Sequence, residues 1–228
     1  MRITEGKLRQ IIRTELIRES FTNKVAIATL GNTSTGPVYV VAYRPDELEA
    51  ILQSEESDDE QRSYNSVVAG VSFNKSGIGY EAGECNDAWR VWLAASNERG
   101  RGTQVYLAAL DSLRNITSDR FGVSPAAERM WKKLARYDFV EREEFDDINN
   151  PKTPPTSDDC HVFQRRDPAL NSSWRIKGDI PPEVKRLVDL VHRHLLELGK
   201  AGQRQKAEYL LTEGFHVLFQ DLYDEDDG

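Results

Sequence analysis

Hydrophobic positions along the chain change period several times, and each change predicts a new element. Leu8, Ile11, Ile12 and Leu16 recur at helical spacing, with Lys7, Arg9, Arg13 and Arg18 on the other faces, so residues 4–19 predict an amphipathic leader helix. Residues 24–30 and 37–43 are runs of Ala, Val, Ile and Tyr that predict two strands, joined by the turn-forming GNTSTG. Pro45-Asp46-Glu47 opens a short helix that leads into a polar acidic loop over residues 54–61. Residues 66–73 (SVVAGVSF) predict a third strand, in which Gly70 signals a bulge or a close backbone approach. The centre of the chain is residues 88–113, AWRVWLAASNERGRGTQVYLAALDSL, where a strand-like run ends at a polar loop with two glycines and a helical pattern starts directly. A short strand over residues 115–119 follows, then a helix opened by Ser124 and Pro125, with Ala127, Met130, Trp131 and Leu134 as its apolar face. Phe139-Val140 restarts a strand, residues 146–159 read as a Pro- and Asp-rich loop, and residues 172–177 predict a last strand. Pro181-Pro182 opens a helix to Leu198 with Gly199 as its stop, and residues 203–219 form another amphipathic helix. These last helices predict either an extra layer or an oligomerisation hairpin.

Length changes this picture little, because 228 residues fit one domain with appendages. Charge changes it more. The net charge is −8, but residues 46–60 hold eight acids and no base, residues 221–227 hold five more acids, and the remainder is therefore at +5. A mildly basic body suits a small polyanion and gives no strong nucleic-acid signal, which would need a dense basic face. No apolar run approaches a membrane span, and the N-terminus lacks the apolar stretch of a secretory signal. Cys85 and Cys160 are too few for a disulfide framework and lack metal spacing, which fits a reducing cytoplasm.

The central strand–loop–helix carries the chemistry. Such a unit offers bare backbone N–H groups and the positive end of a helix dipole to an anion. Arg99 and Arg101 add guanidinium forks suited to phosphate. A Walker A loop would need Gly-Lys-Ser/Thr where this chain has Gly102-Thr103-Gln104, and a dinucleotide fingerprint would need a third glycine. Asn97-Glu98-Arg99-Gly100-Arg101-Gly102 instead resembles the Gln/Arg-x-x-Gly-x-Gly/Ala pyrophosphate loop of the GNAT superfamily of N-acetyltransferases, with Asn97 in place of Gln or Arg. That family's second motif, roughly Asn-x-x-Ala-x-x-Leu/Phe-Tyr-x-Lys, is matched at Ala127, Met130 and Lys133, with Ser124 for Asn and Trp131 for Tyr. The resemblance covers about residues 24–142.

It implies an α/β fold with a mixed, mostly antiparallel sheet of GNAT type and helices on both faces. It also implies a domain plan: residues 1–20 a leader, 21–145 the core, 146–180 a loop with an added strand, and 181–228 helices with an acidic tail. The implied activity is direct acyl transfer from acetyl-CoA or another acyl-CoA to an unknown amine, without metal. The implied cofactor-binding residues are Trp92, Leu93, Ala94 and Ala95 along the strand, then Asn97, Arg99, Gly100, Arg101, Gly102 and Thr103 in the loop. In that family a tyrosine protonates the departing thiolate, which the indole of Trp131 cannot do at neutral pH. Glu84, Asp87 and Glu98 are the candidate bases, and Tyr137 is the nearest phenol, on a different helical azimuth.

Plainer readings stand beside these. Trp89 and Trp92 fall on opposite strand faces, so at least one belongs to the core, as does Trp131. His192 and His194 diverge on a helix and make no metal pair, and nothing near Cys160-His161 supports thiol catalysis. Gly100 and Gly102 also suit an ordinary tight turn. The leader resembles those of proteins encoded by tailed bacteriophages, and Ile17-Arg18-Glu19 resembles the I-x-E site of their prohead proteases. That resemblance implies a host-cytoplasmic protein, with packaging in the virion as the accompanying case. It also implies a rival function: a non-catalytic virion or assembly protein whose N-terminal helix docks on a phage structural or host protein.

Overall fold

A computed structural model describes residues 25–32, 37–53, 66–75, 85–119, 123–154, 156–162 and 168–226. The leader helix, the acidic loop over residues 54–61 and Glu84 lie outside the described residues. Among the described residues, nine strands and five α-helices follow one another: β1 (Ala26–Gly31), β2 (Val38–Tyr43), α1 (Pro45–Gln53), β3 (Val67–Lys75), β4 (Trp89–Ser96), α2 (Arg101–Leu113), β5 (Asn115–Thr117), α3 (Pro125–Leu134), β6 (Val140–Glu144), β7 (Asp146–Asp147), β8 (Asp159–Cys160), β9 (Ser172–Ile176), α4 (Pro182–Lys200) and α5 (Arg204–Asp226). The seven-stranded main sheet has the order β1-β2-β3-β4-β5-β9-β6, and β7 and β8 form a two-stranded piece beside it. Within the main sheet only β4 and β5 run parallel, joined by the crossover helix α2 that parallel neighbours require.

Each face of the sheet carries its own core. Alternate residues of β1 to β4 (Ile27, Val40, Val71, Val91) meet α2, α3 and the first turns of α4. The opposite set (Ala28, Val41, Val67) meets α1, the second half of α4 and α5. α4 therefore starts in one core with Val184 and Leu187 and ends in the other with Val191, Leu195 and Leu198, packing along the edge strand β1 as it goes. The C-terminal helices thus form a layer on the sheet, and β9 sits between β5 and β6. The free edge, β6, has the sequence VEREE, whose charges discourage pairing with another chain.

Local chemistry explains most of the boundaries. The Ser124 hydroxyl accepts from the Ala127 N–H at 3.2 Å, with Pro125 in the first turn of α3. α4 does not stop at Gly199. It continues to Lys200, and the left-handed residue that turns the chain is Gly202, at φ 73°. Gly70 meets Phe215 of α5, since a Cβ there would lie 2.3 Å from that ring. Gly70→Ala is therefore expected to cost about 1–3 kcal/mol by overpacking, read as a lower urea midpoint. An unchanged midpoint would mean that Phe215 yields freely. His194 is buried and its Nδ1 lies 2.8 Å from the Tyr43 hydroxyl, so it is a core histidine tying α4 to β2.

One reading from composition is corrected. Cys85 and Cys160, too few for a framework, are bonded to each other across 75 residues. A cysteine pair of this kind does not by itself indicate a reducing compartment. No helix among the described residues is long and apolar enough to cross a membrane.

Candidate functional site

The site is organised by where β4 loses its neighbour. β3 pairs with β4 from Lys75↔Trp89 to Ala69↔Ser96, whereas β5 pairs with β4 only at Trp89↔Ile116 and Arg90↔Thr117. The pairing ends at Arg90↔Thr117 because β5 itself ends at Thr117. β5 is tied to the other side: Thr117 Oγ1 donates to the Ser172 carbonyl and Ser118 Oγ to the Leu170 carbonyl, both at 2.9 Å. Among the described residues, Val91 to Ser96 of β4 have no strand partner on the β5 side, which leaves that edge open to pair with something else.

A bulge follows where the pairing with β5 ends. Phe73 opposes Val91 and Ser72 opposes Leu93, so Trp92 is the extra residue. The bulge changes which face the strand buries. Before it, Trp89 and Val91 enter the core under α2; after it, Leu93 and Ala95 turn to the opposite core. Trp92 is left 44% exposed, while Ala94 and Ser96 are small and exposed on the α2 side. The strand residues Trp92 to Ala95 thus line the open half of the split.

The open end leads to the glycine loop. Gly100 takes φ 88° and caps α2 without any side-chain hydrogen bond. A Cβ on Gly100 would meet nothing within 4 Å, and one on Gly102 would meet only Ser96 Cβ at 3.8 Å. Among the described residues, no backbone carbonyl of the preceding loop accepts from the N–H groups of Gly102 and Thr103. The corner is therefore uncovered and donor-rich. The Thr103 hydroxyl accepts from Lys133 Nζ at 2.8 Å, which leaves its own hydrogen available.

The arginines divide in a way the sequence did not predict. Arg99 is exposed, beside exposed Asn97. Arg101 turns inward and is only 4% exposed, its Nε 3.0 Å from Glu98 Oε2 and its Nη1 3.1 Å from Gln104 Oε1. As the first residue of α2 its side chain points back along the helix, toward Glu98 three positions earlier. Glu98 also bonds Arg44, which joins β2 to α1, and Arg44 reaches Glu47 at 3.1 Å. Arg101, expected as a phosphate arm, thus lies inward, and Glu98, expected as a candidate base, is a carboxylate shared by two guanidiniums. Arg44, Arg99, Arg101 and Lys133 against Glu47 and Glu98 leave the corner at about +2.

The other candidate bases and acids are placed elsewhere. Asp87 precedes β4 at its closed end, about 26 Å along the strand from the loop, with a 76% exposed side chain paired to Lys75 at 3.2 Å. Tyr137 follows α3 in a turn, with its ring 5.1 Å from Phe139 and packed against the core. The structure brings together Trp92 to Ala95 and Asn97 to Thr103, leaves Asp87 at the other end of β4, and packs Tyr137 on Phe139 and the core. Sequence reasoning missed Arg44. Its only signal was a basic residue before a helix-opening proline, which acquires meaning once the sheet sets the end of β2 and the end of β4 at the same end of β3, which lies between them. Among the described residues no group of His, Cys, Asp or Glu is arranged to hold a metal ion.

Comparison with protein-family models, with curated proteins and with solved structures finds no match.

Proposed function

We propose that the chain binds an acyl-CoA and transfers its acyl group to an amine, in the manner of the GNAT superfamily. One observation carries the reading: a strand whose pairing with its short parallel neighbour ends after two residues runs directly into an uncovered glycine loop at a helix N-terminus. The strand order and the position of the parallel pair support the same family. The pyrophosphate would lie against Gly100, Gly102, Thr103 and Arg99. The pantetheine arm would pair with the free edge of β4 from Trp92 to Ala95, replacing the missing strand, and donors fixed in advance would hold the thioester for direct attack.

Calorimetry with acetyl-CoA tests this. Arg99→Ala is expected to weaken binding about fivefold, by loss of one exposed charge. Gly102→Asp is expected to weaken it roughly 100-fold, since a carboxylate about 5 Å from the pyrophosphate repels it by about 3 kcal/mol at an effective dielectric near 20. The same aspartate suits the helix dipole, so folding should be unharmed. Failure of the wild type to bind would remove the proposal.

A second reading is binding without turnover, by a phage assembly protein that reuses the fold. Trp131 is 1% exposed in the core where the family has its phenol, and Asp87, Glu98 and Tyr137 are all away from the open strand or engaged. Acetyl-CoA binding with no acyl transfer to any amine in a pooled-acceptor assay favours that reading. So does recovery of the chain from purified virions by mass spectrometry, particularly cut after Glu19.

A further inference from the structure

Tyr106 sits on α2, buried to 4% exposure, with its ring edge-on to Trp131, centroids 5.2 Å apart. Among the described residues its hydroxyl has no hydrogen-bond partner. A buried phenol nearly always finds one, and leaving it without a partner costs stability. Burial also pushes its pKa well above the usual value, so the group is a fixed O–H donor.

Its position gives the hydroxyl a use. α2 leaves the end of β4 and delivers the chain to parallel β5, so it runs back along β4 from the open end of the split. Tyr106 lies four residues beyond Gly102, about 6 Å along the helix axis. Trp89, Ile116 and Trp174 are lateral neighbours on β4, β5 and β9, and all belong to the core beneath α2 and α3. Trp131 stacks on Trp174, centroids 6.0 Å apart, and Tyr106 abuts Trp131. The phenol therefore stands on the helix that overlies β4 and β5, one turn inward from the phosphate corner.

We infer that the Tyr106 hydroxyl is a binding group for the amide-bearing arm of the coenzyme, donating to a carbonyl of that arm where it passes between α2 and β4. The inference rests on the acyl-CoA reading above and adds a contact on the helix side of the arm. It makes an unusual joint demand. Deleting the hydroxyl should help the unliganded protein, which loses an unsatisfied group, and harm the complex, which loses a hydrogen bond.

Tyr106→Phe tests both halves through calorimetry with acetyl-CoA and urea unfolding of the unliganded protein. The expected result is three- to tenfold weaker binding with an unfolding midpoint equal to or above that of the wild type. Unchanged affinity with wild-type binding intact overturns this inference alone. A lowered midpoint also overturns it, because the hydroxyl would then be serving the unliganded fold. No binding by the wild type overturns the coenzyme reading, and this inference with it.

Discussion

Replacing Trp131 with alanine is expected to destabilise the protein by about 3–5 kcal/mol, the range for deleting a buried aromatic without collapse of the space. Its indole is 1% exposed, stacked at 30° on Trp174 and met edge-on by Tyr106 at 81°. These contacts join α3, β9 and α2, elements far apart in sequence, so no single element can relax into the gap. At this chain length each kcal/mol moves the thermal midpoint by about 2–4 °C, which predicts a fall of at least 6 °C. Trp131→Phe, which keeps a ring against Trp174, should lose about half as much. A loss below about 1 kcal/mol for the alanine variant would show that Trp131 faces solvent or a cleft, and the position would return as a candidate for the reaction.

That residue also shows how far the sequence could be read. Its helical spacing with Ala127, Met130 and Leu134 was enough to assign it to the core, because period alone decides the buried face of an amphipathic helix. The same logic located most strands, the N-cap at Ser124 and the close approach at Gly70. The glycine loop was legible because only glycine permits the φ of 88° at residue 100. What stayed hidden depended on contacts between distant segments. Arg101 and Arg99 look alike in sequence, yet one is buried because Glu98 and Gln104 are within its reach and the other is not. Arg44 meets Glu98 across 54 positions. The bulge at Trp92 and the early end of the β4–β5 pairing are matters of register, which alternation of side chains does not encode when a strand changes face partway.

The disulfide was the other hidden contact, and its removal is expected to cost about 4 kcal/mol. Closing a loop of 75 residues restricts the unfolded chain by that order in the chain-entropy account. Cys85 and Cys160 are 1% and 0% exposed, so the substitution pair Cys85→Ser with Cys160→Ser is a cleaner test than a reductant. The bond holds an awkward turn: Cys85, Asn86 and Asp87 all have left-handed backbones, at φ 49°, 55° and 54°, each disfavoured for a residue with a side chain. Asn86 is fixed there from both sides, its N–H bonded to the Ser157 carbonyl at 2.6 Å and its own carbonyl accepting from Asn115 Nδ2 at 2.7 Å. These contacts fasten the closed end of the split to the β7–β8 piece, at the opposite end of β4 from the glycine loop. Stability and ligand binding should therefore separate. The double serine variant is expected to unfold at a much lower urea concentration yet bind acetyl-CoA within about twofold of the wild type, since the ladder with β3 still holds β4 in place. A large loss of affinity without loss of stability would mean that the turn over residues 85–87, rather than the open strand and its loop, determines the binding geometry.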